Sequence, residues 1–180
     1  MKVFAFLADG FEEIEAVTTI DILRRAEIET IIVSISESKE VTGAHGIPVV
    51  ADSLFVETDF SSADLLFLPG GMPGTKHLGE HAELVQLLIN HANNGKKIAA
   101  ICAAPTVLAK VGILKGKEAV CYPGYECELT ETTISTQNVV KSENIITGKG
   151  PGTTIQFALK LVEELKGKTI ADSIAGALCC

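Results

Sequence analysis

KKIAAICAAPTVLA (96–109) passes without an intervening loop from a short apolar run into helix-forming residues. Lys96 to Ile101 reads as a buried strand, and a helix is predicted from Cys102 to a C-cap at Gly112. A reactive side chain at such a junction needs small residues two positions to either side, so that the backbones can pass. Ala100 and Ala104 stand there. Cys102 would sit at a helix N-terminus, where free N–H groups and the helix dipole favour a thiolate and lower the thiol pKa. The same pattern also suits a buried structural cysteine, since Cys is among the most buried residue types.

Outward from this junction, apolar runs alternate with helical patterns. Residues 2–8 (KVFAFLA) read as a buried strand and 13–26 (EIEAVTTIDILRRA) as an amphipathic helix. Strands are predicted at 30–35, at Pro48 to Ala51, and at 64–68, the last ending at the turn signal Pro69-Gly70-Gly71. A helix is expected from Glu83 to Asn93. A strand is expected at 118–122, and two more around Val139 and Ile145 flank a polar turn. Pro151 is placed to open a final helix through TTIQFALKLVEELKG. Alternation of this kind predicts one α/β domain over residues 1–180, a doubly wound, mostly parallel sheet with helices on both faces. Sites in such folds form beyond the carboxyl ends of the strands. That rule selects four loops: Gly10 to Glu15, Pro69 to Thr75, Ile101 to Pro105, and Gly148 to Thr153.

Composition agrees and removes some functions. The 180 residues are 47% hydrophobic, with no Trp and only 5% aromatic residues, which suits a helix-covered sheet rich in short aliphatics. The formal net charge of −8 argues against nucleic-acid or anionic-membrane partners, since phosphate contacts need clustered Lys and Arg. The start MKVFAFLADGFEEIE does not read as a secretory signal, and no apolar stretch is long enough to span a bilayer. A soluble cytoplasmic protein is expected. Its five cysteines, an odd number, are then expected to be free thiols. They lack paired C-x-x-C spacing, so no metal is expected.

Among those cysteines Cys102 is the candidate nucleophile. Cys121 falls in a predicted strand, Cys127 in a polar loop, and Cys179 and Cys180 at a terminus prone to adventitious oxidation. A Cys–His enzyme needs an imidazole to take the thiol proton. His45, His77, His81 and His91 all precede Cys102. The arrangement in which His and Glu follow the nucleophile is therefore excluded, and His81 and His91 read as solvated surface residues. Glu12, Glu13 and Glu15 lie just beyond the first strand, at the sheet edge of Cys102. First-turn acids ordinarily complement the helix dipole, and at most one need face the cleft. A carboxylate about 4 Å from a thiolate would be repelled by about 4 kcal/mol at an effective dielectric of about 20. Such a pair would hold one proton between them, with the carboxyl donating to sulfur. The Pro69 to Gly74 loop could supply backbone donors to an oxyanion. Gly148 to Thr153 lacks the Gly-Lys-Ser/Thr ending of a phosphate loop and reads as a helix-capping turn.

ADGFEEIEA (8–16), DILRRA (21–26), LPGGMPG (68–74), AAICAAPTVLA (99–109) and GKGPGTT (148–154) together resemble the ThiJ/PfpI superfamily, in its DJ-one and YajL branch. The resemblance implies a flavodoxin-like sandwich and a homodimer. It also implies that Cys102 is the nucleophile, Glu15 the protonated carboxyl beside it, and Gly71 and Ala103 the oxyanion donors. Members are credited with cofactor-independent conversion of glyoxals to hydroxy acids, with deglycation, and with peroxide sensing through cysteine sulfinate. Two positions depart. A family member carries a His before Pro where this chain has Tyr122-Pro123, and an Arg near the pocket where it has His45. Neither role is carried over, and with Gly70 these two residues are expected to line the pocket.

The expected activity is that of a cysteine enzyme without cofactor, acting on a small carbonyl substrate such as an α-oxoaldehyde or its adducts. The alternative is a non-enzymatic oxidative-stress sensor using the same two residues. A cysteine peptidase is disfavoured by the missing downstream His.

Overall fold

The computed structural model describes residues 1–180. In chain order the elements are β1 (Lys2–Leu7), α1 (Glu13–Arg25), β2 (Glu29–Ser34), β3 (Glu40–Thr42), β4 (Pro48–Val50), β5 (Ser53–Leu54) and β6 (Leu65–Leu68). Then follow α2 (Gly74–Glu80), α3 (Ala82–Asn93), β7 (Lys97–Ile101), α4 (Pro105–Lys110), β8 (Glu118–Ala119) and β9 (Thr133–Ile134). The chain closes with β10 (Val139–Ser142), β11 (Ile145–Gly148), α5 (Thr154–Lys166) and α6 (Lys168–Ala177).

Seven strands form one sheet in the order β10-β11-β7-β6-β1-β2-β5, parallel except for the β10–β11 hairpin. Its central strands are apolar on both faces because both faces are covered. Along β1, Val3, Ala5 and Leu7 point into one core with Ala16, Ile20 and Leu23 of α1 and Phe157, Leu161 and Val162 of α5. Phe4 and Phe6 point into a second core with Leu78 of α2, Leu84 and Leu88 of α3, and Leu108 of α4. This is the expected doubly wound, flavodoxin-like architecture. No helix is long and apolar enough to cross a membrane.

Several elements differ from the sequence reading. The helix after β7 begins at Pro105 rather than Cys102, because Cys102 has φ +65° and lies outside the right-handed helical region. Pro105 then occupies the first helical position, where its missing N–H costs nothing. The strand expected at 118–122 is only Glu118–Ala119, paired with β9 in a separate small sheet. Beyond it the chain bonds irregularly: Val120 N donates to Thr147 Oγ1 at 3.0 Å and Tyr122 N to Cys102 O at 2.8 Å. The Pro48 segment pairs with β3 in a two-stranded ribbon rather than joining the main sheet. α2 and α6 were not foreseen. α2 is one stretch of about two turns that opens at Gly74, and α6 follows α5 after a break at Gly167.

Candidate active site

The four predicted loops meet at the carboxyl ends of β1, β6, β7 and β11, joined by backbone hydrogen bonds. Glu12 N donates to Gly70 O at 2.9 Å, Gly74 N to Gly10 O at 3.2 Å, and Cys102 N to Gly148 O at 2.9 Å. Cys102 is thus held from both sides, since its carbonyl accepts from Tyr122. Ala100 and Ala104 are fully buried beside it, as the need for small neighbours predicts. Thr106, which the sequence reading passed over, donates its hydroxyl to Ala103 O at 2.8 Å and closes the turn. A Thr next to a helix-opening Pro was the available signal.

Of the three acids, Glu15 turns inward. It is fully buried and accepts from Gly70 N at 2.8 Å through Oε2, while Oε1 has no nitrogen or oxygen partner. The side chain it couples to is Cys102. Gly70 sits between the two. A methyl there would lie 2.6 Å from Cys102 Cβ and 2.7 Å from Glu15 Oε2, so only glycine fits. Burial pushes the Glu15 carboxyl up to about 7, against the opposing pull of Cys102 and the Gly70 N–H.

The thiol does not follow the expected lowering. Cys102 is 8% exposed, and burial first, then the Glu15 charge and its hydrogen bond, hold the thiol well above the usual thiol range. The backbone N–H groups of Gly71 and Ala103 act on the sulfur in the other direction and are outweighed. A helix of six residues that starts three positions later is too short and too distant to reverse that balance. The two groups titrate as a pair that carries one negative charge above pH about 7.

Glu13 is also buried, which the dipole reading missed, and it points away from the thiol. Its carboxylate accepts from His45 N at 2.7 Å and Ile47 N at 3.4 Å, and pairs with His45 Nδ1 at 2.9 Å. These bonds outweigh its burial and hold its pKa below the usual value, while the Glu13 and Glu12 carboxylates raise that of exposed His45. Glu12, Glu13 and His45 bring three donor atoms within 4.8 Å of one another, the one grouping that could hold a metal. Glu13 is already occupied in fixing the 43–47 loop.

None of the other histidines is a partner of Cys102. His77 contacts Asp9 O, and His81 caps α3 by accepting from Leu84 N at 3.1 Å and packs on Phe55. His91, read as a solvated residue, is 5% exposed, and burial pushes its ring down to about 4. It lies on the inner face of α3 with Leu84 and Leu88. Cys121 is buried and raised to about 11, chiefly by burial, while Cys127, Cys179 and Cys180 are exposed; none of the five is in a disulfide. Tyr122 is half-exposed, with its ring against Gly150.

Residues 1–164 match the DJ-1/PfpI family. The chain is 37% identical over 174 residues to protein dj-1beta of Drosophila melanogaster, covering 96% of this chain and 93% of that protein. It is 36% identical over 170 residues to the glutathione-independent glyoxalase DJR-1.2 of Caenorhabditis elegans, covering 93% and 90%. Among solved structures, oxidized DJ-1 of Toxoplasma gondii superposes with a TM-score of 0.95 at 40% identity, covering 99% of this chain and 97% of that one.

Proposed function

This chain belongs to the DJ-1/PfpI family, and on that premise we propose that it converts small α-oxoaldehydes to 2-hydroxy acids without a cofactor. The observation that carries this reading is the buried pair of Glu15 and Cys102 packed against Gly70, where a Cβ would lie 2.7 Å from the Glu15 carboxyl and 2.6 Å from Cys102 Cβ. The proton that rests on the Cys102 thiol passes to the Glu15 carboxylate as the sulfur attacks, so the reacting form is the thiolate beside a protonated carboxyl. The sulfur adds to the aldehyde carbon, and the resulting alkoxide takes the proton to give a hemithioacetal. Glu15 then removes the hydrogen on C1 as a proton and returns a proton to C2, while the C1 hydroxyl proton passes to the C2 oxygen, so that C1 becomes a thioester carbonyl and C2 an alcohol. Water hydrolyses the thioester, releasing the hydroxy acid and the thiol. No net oxidation occurs, since the electron pair moves from one carbon to its neighbour. Gly71 and Ala103 stabilise the oxyanions formed on the way. A relative named a glutathione-independent glyoxalase supports the same substrate class. Adducts of these aldehydes on amines would enter by the same carbonyl chemistry.

Loss of methylglyoxal with matching formation of lactate tests the reading. Full activity in Cys102→Ser or Glu15→Gln would overturn it.

A second reading, oxidation sensing, draws on the same geometry, because a buried acid and two N–H groups around one sulfur would also hold a sulfinate. Selective gain of two oxygens at Cys102 under mild peroxide, with negligible aldehyde turnover, would favour it. For assembly, we propose a homodimer, for which the exposed apolar side chains Ile14 and Val17 of α1, Ile47 and Val50 offer contact surface. Five free thiols fit a reducing compartment such as the cytoplasm.

A further inference from the structure

Cys179 and Cys180, expected on a terminus prone to adventitious oxidation, are held in place by a helix cap. Leu178, just before them, packs against the buried core that α5 covers and donates its N–H to Ile174 O at 3.0 Å. Cys179 has φ +61°, in the left-handed position after a helix that glycine usually fills. Its N–H goes to Gly176 O at 3.2 Å and that of Cys180 to Ala175 O at 3.0 Å, the two bonds of a Schellman cap. Both side chains are exposed and neither is in a disulfide. Cys180 Sγ lies 3.7 Å from Leu178 O, a weak bond that leaves the sulfur lone pairs free.

Adjacent cysteines have two ways to use both sulfurs. Across a trans peptide such as theirs, consecutive Cα atoms lie about 3.8 Å apart, short of the roughly 4.4–6.8 Å of ordinary disulfides. A mutual disulfide would therefore be strained, whereas an atom set between the sulfurs lengthens the link and relieves that strain. No third donor completes a metal site, since the one grouping of three His, Cys, Asp or Glu ligand atoms in the chain is Glu12, Glu13 and His45. Zinc, which takes four protein ligands in structural sites, is thereby disfavoured. We propose that Cys179 and Cys180 form a dithiol site for trivalent arsenicals that carry one organic group. Such an arsenic brings one bond of its own and needs two thiolates on the same side, which suits neighbouring residues. With an organoarsenic oxide, two As–S bonds form, and the oxide oxygen leaves as water with both thiol protons. Arsenic stays trivalent, so no oxidant or reductant is consumed. The site is separate from Cys102 and does not rest on the proposed aldehyde chemistry.

The test adds phenylarsine oxide to the reduced full chain in excess glutathione, a monothiol that strips arsenic from single cysteines. Intact mass and peptide mapping read what remains. Wild-type protein is expected to keep one phenylarsenic group per chain, on the peptide with Cys179 and Cys180, and to release it to dithiothreitol. Cys179→Ser and Cys180→Ser should each weaken retention at least about a hundredfold, since the second thiol acts at high effective concentration. Cys102→Ser and Cys127→Ser should retain the group as wild type does. Wild-type protein that keeps no arsenic under glutathione overturns the proposal, as does arsenic mapped to any other cysteine. If Cys179→Ser melts early through damage to the cap, Cys180→Ser decides alone, and undiminished retention there overturns the proposal too.

Discussion

Glu15 and Cys102, 87 positions apart in the chain, meet at Gly70, whose N–H is bonded to Glu15 and whose missing Cβ leaves the space in which both side chains come together. The parallel pairing of β1, β6 and β7 brings them there. Glu15 follows β1, Gly70 follows β6 and Cys102 follows β7, so three neighbouring strand ends each contribute one member.

Gly70→Ala should damage the site more than the fold. The added methyl meets Cys102, Glu15 and, at 3.0 Å, the carbonyl of Ile101, so the pair must separate. We expect aldehyde turnover to fall at least about a hundredfold, with stability lowered by about 1–3 kcal/mol. Steady-state kinetics beside urea unfolding checks this, and near-normal turnover would contradict the described contact.

Glu15→Gln separates addition from proton transfer. The amide keeps the shape but cannot carry a proton between the two carbons. Alkylation of Cys102 should persist while conversion of methylglyoxal drops about 10²- to 10⁴-fold, the usual range for a lost acid–base group. Parallel loss of both would mean that Glu15 serves only to hold the thiol.

Stability should respond to pH through two buried groups of opposite sign. Glu15 is raised from 4.5 to about 7, so its contribution is full below pH 4.5 and is lost as pH climbs through 7. His91 is lowered from 6.5 to about 4, so its contribution is present above pH 6.5 and is lost as pH falls toward 4. Each amounts to about 3 kcal/mol at most, and the two oppose each other over the shared window. In Glu15→Gln, unfolding free energy should therefore fall more steeply toward acid than in wild type. In His91→Gln it should fall as pH rises from 4.5 to 7. Urea titrations at pH 4.5, 5.5 and 6.5 distinguish these slopes.

Removing the Glu13 carboxylate should loosen residues 43–47. Glu13→Ala leaves the N–H groups of His45 and Ile47 without their acceptor. We expect a loss of about 1–3 kcal/mol. Amide exchange of His45 and Ile47 should quicken, while exchange in β7 keeps its wild-type rate.

The exposed residues Val17 and Val50 offer a test of assembly. Wild-type protein should scatter light with twice the chain mass, and Val17→Asp or Val50→Asp should shift it toward the monomer, because a buried unpaired charge is costly. A wild-type mass equal to one chain would remove the homodimer.

Local chemistry carried much of this protein into view. Apolar runs marked every central strand of the main sheet, and the Ala100-Ile101-Cys102-Ala103-Ala104-Pro105 pattern marked the junction, because turn sterics and strand burial act over a few residues. The alternation of these elements was enough for the layer order and for the four loops at the strand ends. Which of three neighbouring acids turns inward was a different matter. The residues themselves left it open, family resemblance pointed to Glu15, and only the seating of α1 against β1 and the 68–74 loop placed that carboxyl at the thiol. His91 was misjudged for a related reason: the face of α3 that is buried depends on what lies beneath it. The sign of the Cys102 shift also belonged to tertiary structure. A helix start argues for a low thiol pKa, but desolvation and a nearby carboxylate are sums over everything that surrounds the sulfur, and those surroundings come from four separate stretches of chain.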